Sequence, residues 1–292
     1  MLGAVSRLPD RQLNALLATY RAETVKRRRV VHFGILVFIV VLVGASRAAE
    51  VNLSMLADRI GVFTSYFDRI FKLDTGLRVW TDPVDWFWGW KSWLGLLLET
   101  LLIAYVGTAI GAAGAFLICF FASANVTPAR WMEFASRRFL EVCRTVPEMV
   151  FALIFVVAFG LGPLPGVLAI AIHTFGALGK LFAEIVENID MKPVEGLASS
   201  GASWVQRIRF GAIPQVLAGF TSYSLLRFEV NVRGAAVMGF VGAGGIGQEL
   251  IVAIRKFYYS DVSAVLIMLI ITVFIIDYTT ERIRHALIGR EG

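Results

Sequence analysis

The sequence has few charged residues and few of the groups on which enzymes and metal sites are built. Charged residues occupy 17% of the 292 positions, whereas soluble domains carry about 25%, so an ordinary soluble globular domain is excluded. The two cysteines, Cys119 and Cys143, lie in or beside apolar segments without metal-ligand spacing. We expect both thiols to be small buried side chains.

Motifs for catalysis are also missing. The sequence has no G-x-x-x-x-G-K-[ST], so the chain cannot cradle ATP phosphates by that route, and it has no H-E-x-x-H, nucleophile elbow or Cys/His cluster. An enzyme needs a base, a nucleophile and an orienting group gathered together. We therefore predict no catalytic residue, no metal site and no cofactor bound by this chain, with a membrane-embedded enzyme or a structural anchor as the alternative.

Apolar residues are what the chain has in abundance. They occupy 57% of the positions, and the mean hydropathy is +0.71. A bilayer core needs about 20 apolar residues per helix, and six stretches approach or exceed that length. The sequence therefore predicts an all-α polytopic membrane protein with six transmembrane helices, at about residues 30–46, 94–122, 139–160, 166–188, 214–239 and 262–282.

Basic residues predict the orientation of these spans. They concentrate in the N-terminal segment, in the loops 125–138 and 190–213, and in the tail, which six spans place together in the cytoplasm. This distribution accounts for the net charge of +6 without nucleic-acid binding. Residues 1–29 are then a cytoplasmic segment and both termini are cytoplasmic, while the first span, 30–46, is expected to be an uncleaved signal anchor rather than a cleaved signal peptide.

A long segment, residues 47–93, is predicted on the opposite side of the membrane. Its residues Leu56, Ile60, Phe63, Phe67 and Ile70 recur every three or four positions, which predicts an amphipathic helix on the outer surface. Five tryptophans follow, a composition typical of the membrane–water interface. Docking of a partner protein and simple interfacial anchoring both account for this segment.

Residues 242–247 are rich in glycine and formally match G-x-G-x-x-G. A dinucleotide site would need a strand before the motif and an acid about 20 residues after it, whereas a span precedes it and Asp261 comes too early. We interpret Gly242, Gly244 and Gly245 as a break in a transmembrane helix. Because N–H groups at a helix start attract anions, contact with substrate and packing against another subunit both fit this break.

Opposite charges stand four residues apart at three places within predicted spans, so each pair shares a helix face: Arg144–Glu148, Lys180–Glu184 and Glu229–Arg233. Such residues are costly in a membrane and by default face the bundle interior or water. The first two pairs lie toward the cytoplasm and either neutralise each other or line a path. The third pair is expected past mid-span toward the outer side, His173 is expected to be a packing residue, and Asp277 is expected to pair with Arg282 or Arg284.

The loop 190–214 is polar among apolar spans and predicts either an ordinary connector or a docking element. Gly201 permits close approach of a partner surface, and Pro214 begins the next span. The order Glu195, Gly201, Ile213-Pro214 resembles the coupling loop of bacterial ABC importer permeases. The two alanines that follow the glutamate in that family are absent, and a glycine replaces its isoleucine upstream of the proline.

Further stretches resemble phosphonate ABC transporter permeases over about residues 90–285. They are, in chain order, 144–148, 160–169, 179–184 and 231–233 leading to 241–247. The resemblance implies a type I permease core of five helices at 94–285, coupled to an ATPase through Glu195, Ala198, Gly201, Ala202, Ile213 and Pro214. It also implies a path among Arg144, Glu148, Lys180, Glu184, Glu229, Arg233, Gly242, Gly244 and Gly245, in which Arg233 is suited to a phosphonate.

The same resemblance implies the partners and the place of action. They are a second copy of the chain, two cytoplasmic ABC ATPase subunits that hold ATP and Mg, an extracytoplasmic phosphonate-binding protein, and the lipid bilayer of the bacterial inner membrane. The chain would be a permease subunit for phosphonates. An importer of the same fold for phosphite, phosphate or methionine is the alternative, and a path lined by arginine favours the oxyanions over methionine.

Overall fold

The computed structural model describes residues 10–288, so the first nine residues of the predicted cytoplasmic segment and the last four residues of the chain lie outside it. The described chain forms α1 (Asp10–Ala48), α2 (Leu53–Ile70), α3 (Pro83–Trp86), α4 (Trp90–Ala122), α5 (Arg130–Thr145), α6 (Glu148–Phe159), α7 (Pro163–Glu187), α8 (Lys192–Ser199), α9 (Trp204–Arg207), α10 (Ile213–Met238), α11 (Ile246–Arg255) and α12 (Tyr259–Ile288). Between residues 10 and 288, strand pairing is limited to one bridge, Lys72 with Arg78. The predicted all-α fold is confirmed.

Six membrane spans result when two bent helix pairs are each counted as one span, in agreement with the prediction. Four helices are long and apolar enough alone, namely residues 23–48 of α1, all of α4 and α7, and residues 259–286 of α12. The other two spans are α5 with α6, bent by 81°, and residues 204–241 with α11, bent by 47°.

The span predicted over 139–160 is not one straight helix, because α5 and α6 are separate helices. α5 ends at Thr145, and Val146 is extended with φ −74° and ψ 124°. This conformation is the one favoured before a proline, here Pro147. An amphipathic helix that carries several arginines therefore turns at Pro147 into α6, which is apolar after Glu148.

Small residues allow close helix packing at the centre of the core. A Cβ placed on Gly107 of α4 would stand 2.7 Å from Ile170 of α7, and one on Gly111 would stand 2.7 Å from the Ala171 carbonyl oxygen. Further along α7, a Cβ on Gly176 would stand 2.7 Å from the backbone of α5. Close approach of small residues is a principal source of helix association in bilayers, so α7 is the helix around which α4 and α5 are organised.

The span predicted to end near residue 239 continues through the glycine break, residues 242–245, and ends with α11 at Arg255. α11 has 10 residues, which at 1.5 Å per residue is about 15 Å. The break therefore interrupts this span well before its end. The N–H of Gly162 donates to the Gly242 carbonyl at 3.0 Å, so the turn between α6 and α7 packs against the break.

The tryptophan cluster fastens α3 and the turn before α4 to the start of α12. Trp86 donates its indole N–H to Ser263, and Trp88 donates to Asp261, both at 3.0 Å. Trp93 is 1% exposed. These side chains therefore have a packing role within the chain in addition to their suitability for the membrane surface.

The described residues up to Ser65 belong to a unit of their own. Within its described part, α1 contains the predicted first span, and α2 begins the predicted amphipathic helix. Asn52 caps α2, because its Oδ1 accepts from the N–H groups of Ser54 at 3.0 Å and Met55 at 3.1 Å.

Candidate functional site

The predicted coupling loop folds as two short helices, α8 and α9. The chain turns after α8 at Gly201, whose φ of +84° is a conformation that glycine adopts without strain. Ser203 and Gln206 form a capping box that starts α9. No atom lies within 4 Å of a Cβ built on Gly201, so within this chain the glycine serves the turn.

The loop is tied to the core through a few specific contacts. Trp204 donates its indole N–H to the Val126 carbonyl at 2.7 Å and stacks on Phe121 with ring centroids 5.0 Å apart. The side-chain amide of Gln215 accepts from the N–H of Asp190 at 3.0 Å and donates to its carbonyl at 3.1 Å. These contacts hold α8 and α9 in a defined position below α4 and α10.

The outward side of the loop carries most of the residues predicted to couple to an ATPase. Glu195, Ala198, Gly201 and Pro214 are exposed, while Ala202 and Ile213 are half-buried. Two apolar side chains outside the predicted set, Val205 and Phe210, are 63% and 61% exposed. In the sequence, both could have been recognised as large apolar residues within an otherwise polar loop.

The exposed side of α8 and α9 is connected to α10 through α9, by continuous helical structure with no loop between α9 and α10. α9 passes through a π-helical turn, Ile208–Ala212, directly into α10. In that turn, a Cβ on Gly211 would stand 3.0 Å from Val194 of α8. α8 therefore packs directly on the π-helical turn that leads into α10, and π-turns within helices are frequent at functional sites.

The glycine break is confirmed as a bend within a span. Gly242, Gly244 and Gly245 have φ of +84°, +84° and +77°, a region that other residues rarely adopt. A Cβ on Gly244 would stand 2.7 Å from Glu99 Oε1 and 3.1 Å from Pro163. The break is thus packed against the start of α7 and against α4.

The backbone donors at the start of α11 already have partners within the chain. The N–H of Gly245 donates to Glu99 Oε1 at 3.2 Å, and that of Ile246 donates to Thr100 Oγ1 at 2.9 Å. These two N–H groups are therefore not free to attract an anion, so of the two roles that the sequence left open for the break they support packing. The sequence analysis missed Glu99, although an acid within the apolar stretch 94–122 was a visible signal.

Below the break lies the charged level, which we define as Glu148, His173, Arg227, Glu229 and Arg233 with their partners on α12. Of the three charge pairs predicted from the sequence, Arg144–Glu148 and Glu229–Arg233 do not form. The third pair, Lys180–Glu184, lies outside the charged level and forms as predicted, with an N–O distance of 3.7 Å and both side chains about half exposed.

Arg144 and Glu148 do not share a helix face, because the chain bends at Pro147 between them. Arg144 is exposed in the last turn of α5. Glu148, at the start of α6, instead has its Oε2 3.9 Å from Nδ1 of His173 on α7. The spacing of four residues predicted a pair that the proline prevents.

Glu229 and Arg233 each reach across to α12 instead of pairing with each other. Arg284 donates to Glu229 at 3.1 Å, and Arg233 lies 3.4 Å from Asp277. Asp277 therefore pairs with Arg233 rather than with Arg282 or Arg284. Because Arg284 lies near the cytoplasmic end of α12, this pairing places Glu229 in the inner part of the span and not toward the outer side.

Arg227 of α10 joins His173 and Glu148 in a cluster that the sequence analysis did not anticipate. Its Nη2 contacts Nδ1 of His173. A guanidinium only donates, so Nδ1 accepts and the ring proton of the neutral histidine is on Nε2. His173 is thus part of a polar network, contrary to the expected packing role. The signal was an arginine within a span with no opposite charge four residues away.

One face of α10 is left uncovered by the described elements. Leu226, Val230 and Val237 on this face are 39%, 43% and 42% exposed. Arg233 lies among them, at helical spacing, with 51% of its side chain exposed. This uncovered stripe therefore carries a charge inside a membrane span.

The sequence is similar to known membrane transport components. A family model described as binding-protein-dependent transport system inner membrane component matches residues 114–290. The phosphite transport system permease protein PtxC of Stutzerimonas stutzeri is 40% identical over 195 residues, which are 67% of this chain and 70% of that protein. The cryptic phosphonate transport system permease protein PhnE2 of Escherichia coli (strain K12) is 48% identical over 117 residues, 40% of this chain and 96% of that protein.

The fold is also similar to a solved structure, that of the MetNI methionine ABC transporter in inward-facing conformations. The similarity has a TM-score of 0.58 at 18% identity and covers 70% of this chain and 98% of the other. At this identity the comparison concerns the fold alone, which is the type I importer permease fold expected from the sequence.

Proposed function

Because the chain belongs to the family of binding-protein-dependent transport system inner membrane components, we propose that two copies of it form the path by which phosphonates cross the membrane. It is a multi-pass inner-membrane permease component of an ABC importer. Relatives named for phosphite and phosphonate transport support a phospho-oxyanion as cargo. In this proposal an extracytoplasmic protein delivers the solute, and separate ATPase subunits bind ATP and Mg.

The observation that carries this proposal is the position of Arg233 on the uncovered stripe of α10. Half of its side chain is exposed, and its partner Asp277, at 3.4 Å, is 39% exposed. A charged side chain facing lipid costs about 2.5–3.5 kcal/mol on the insertion scale. We infer that a second copy and an aqueous path cover this face. There the guanidinium can hold two oxygens of a phosphonate through parallel hydrogen bonds.

The path to the ATPase runs through the exposed side of α8 and α9. We propose that Glu195, Ala198 and Gly201, with the apolar Val205 and Phe210, seat in a groove of the ATPase. Closure of two ATPases on ATP would move the two α8 helices toward each other. Because the π-helical turn joins α9 to α10 without a loop, that movement would be passed to Arg233.

Phosphite is the second candidate cargo, because the relative PtxC carries phosphite in its name. Phosphite and phosphonates share the oxygens that an arginine recognises, so the charged level suits both. Methionine is less well matched, because the likeness to MetNI concerns the fold alone and the uncovered stripe carries Arg233 rather than an apolar thioether pocket.

ATP hydrolysis by the assembled importer tests the proposal. The chain is reconstituted in lipid with its ATPase and binding protein, and 2-aminoethylphosphonate, methylphosphonate, phosphite, phosphate and methionine are compared as stimulants. We expect stimulation by phosphonates. Stimulation by methionine alone would overturn the assignment of the cargo, and failure to form a complex with any ATPase would overturn the coupled path.

A substitution at Gly201 tests the coupling surface. Gly201→Glu places a charged side chain on the proposed ATPase contact, so we expect ATP hydrolysis to lose its stimulation by solute while the protein still assembles in the membrane. Gly201→Ala is the matched control, since it shares the unfavourable backbone conformation at φ +84° but adds only a methyl group in open space. Equal effects of the two changes would assign the result to the turn rather than to the contact.

A further inference from the structure

We propose that Arg227 and Glu148 together form a contact site for a phospho-oxyanion that still carries one proton, and that Glu148 rejects fully ionised anions such as sulfate. This inference rests on the proposed function, because it assigns a selective step within the same path. It adds a residue, Arg227, and a chemical criterion that neither the sequence pattern nor the relatives' names contain.

Three helices bring this site together. Glu148 begins α6 directly after the bend at Pro147, His173 lies on α7, and Arg227 lies on α10. The Glu148 carboxylate rests against Gly234 of α10, where any Cβ would overlap its Oε1. Glycine at this position therefore gives the carboxylate the room to stand beside the arginine.

The contact with His173 orients the Arg227 guanidinium but satisfies only one of its nitrogen atoms. Nη2 of Arg227 contacts Nδ1 of His173, while Nε of Arg227 is buried without a hydrogen-bond partner. Oε2 of Glu148 is likewise buried without a partner. Although their charges are opposite, no ion pair within 4.0 Å joins Arg227 to Glu148 in the described structure. Unmade hydrogen bonds of this kind cost about 1–3 kcal/mol each.

The two unused groups are complementary to one class of ligand. Arginine can only donate hydrogen bonds, and an ionised carboxylate can only accept them. A monoanionic phosphonate or phosphite offers both partners, because its P–O⁻ oxygens accept from Arg227 and its P–OH donates to Glu148. Sulfate has no such proton near neutral pH, so its charge would face the carboxylate unscreened by a hydrogen bond.

The cluster also keeps a route to solvent. The side chains of His173 and Glu148 remain 20% and 22% exposed, so the site opens toward one edge even though its unused atoms are covered. In contrast, Asn231, one turn further along α10, is fully buried: its Nδ2 donates to Thr108 at 2.7 Å and to Thr174 at 2.8 Å, and its Oδ1 is buried without a partner. Because Asn231 has no route to solvent, it has the character of a structural contact, and the partly exposed cluster around Arg227 that of a binding group.

Binding of small ligands to the permease–ATPase complex in lipid nanodiscs, without the binding protein, tests the inference. Phosphorus-31 saturation-transfer NMR compares methylphosphonate with its O-methyl monoester, which has the same single negative charge but no P–OH. Sulfate is added as a competitor. We expect the wild type to prefer the acid over the ester by about tenfold, the size of one hydrogen bond to a charged group, and to be insensitive to sulfate.

Variants then assign the preference to the carboxylate. Glu148→Gln is expected to abolish the preference and to gain competition by sulfate, and Gly234→Ala, which displaces the carboxylate without changing charge, is expected to reduce the preference. Arg227→Lys is expected to weaken both ligands and keep their ratio. Glu141→Gln, on the exposed pair Arg138–Glu141 of α5, is the matched control and should behave as wild type.

The results separate this inference from the proposed function. Equal binding of acid and ester by the wild type, or an unchanged ratio in Glu148→Gln, would overturn the inference while solute-stimulated ATP hydrolysis still supported the path. If Glu148→Gln fails to assemble, Glu148→Asp keeps the acceptor and must keep the preference. Loss of solute-stimulated hydrolysis in the wild type would instead remove the proposed function itself.

Discussion

The glycine break and the charged level are both polar regions inside membrane spans, but they differ in how their polar groups are satisfied. At the break, Glu99 and Thr100 accept from the N–H groups that the bend releases. At the charged level, Glu148 Oε2, Arg227 Nε and Arg284 Nε are buried without partners. A satisfied network fixes one structure, whereas unsatisfied groups are retained at a cost. The contrast indicates that the break is a rigid element and that the charged level is where a ligand can add contacts.

The largest effect on stability is expected from filling the close contact between α11 and α10 beside the break. In Gly247→Ala, the new Cβ would overlap the Ala236 carbonyl oxygen of α10, so two backbones that now touch must separate. Overpacking of this kind costs about 1–3 kcal/mol and occasionally more. We expect loss of most assembled protein, measured by size-exclusion chromatography and thermal unfolding in detergent.

Gly95→Ala is the matched control for that substitution. Gly95 lies in α4, and a Cβ there would meet no atom within 4 Å, so we expect unchanged or slightly raised stability because alanine favours helix. If Gly247→Ala unfolded at the wild-type temperature, the description of the break as rigid and closely packed would be wrong.

A smaller loss is expected from removing one partner at the break. In Thr100→Val the N–H of Ile246 loses the hydroxyl that accepts from it at 2.9 Å, and an unsatisfied buried donor costs about 1–3 kcal/mol. Thermal unfolding measures the change. Thr272→Val is the control, because that hydroxyl bonds only the Met268 carbonyl of its own helix, and similar shifts in the two variants would contradict our comparison.

At the charged level, in contrast to the break, we expect a substitution to affect transport more than stability. Arg233→Ala removes a half-exposed pair with Asp277, and pairs of this exposure contribute about 0–1 kcal/mol. We expect little change in assembly but a large loss of phosphonate uptake in vesicles. Normal uptake by this variant would remove Arg233 from the path, whereas failure to assemble would place it among the structural residues.

The smallest effect on stability is expected at Asp68, which forms exposed ion pairs outside the membrane spans. The side chain of Lys72 hydrogen-bonds Asp68, Arg78 lies 2.8 Å away, and together they hold the pKa of Asp68 below its usual value. A lowered folded-state pKa gives stability that is present above the unfolded pKa and lost as the pH falls through the folded one.

We therefore expect Asp68→Asn to unfold slightly below wild type at neutral pH and together with it in acid. The measurement is thermal unfolding of both proteins across the acidic range. A difference that persisted below the folded-state pKa of Asp68 would show that the carboxylate charge is not its cause.

Much of the fold could be predicted because its signals are local. Apolar stretches of span length predicted six spans, and four glycines among the six residues 242–247 predicted the break. The bend at Pro147 was missed because the stretch 139–160 has the length of a span, and a proline changes only the local conformation of the chain. The contact of the α6–α7 turn with the break was missed because it depends on a bond between residues far apart in the sequence.

The partners of charged residues were harder to predict than the residues themselves. A spacing of four residues indicates which side chains share a helix face, but Glu229 and Arg233 both found closer partners on α12. In a low-dielectric interior the nearest opposite charge on a neighbouring helix competes with the one along the chain. The path residues named from the sequence stay predictions until transport by their variants is measured.

The hydrogen bond between Gly162 and Gly242 is made by backbone atoms alone, so adding a side chain other than that of proline at either glycine removes no partner atom. It joins the start of α7 to the bend between α10 and α11. In mechanical terms the bond is a main-chain crosslink, and a movement of α10 that shifts the bend therefore also pulls on the turn between α6 and α7.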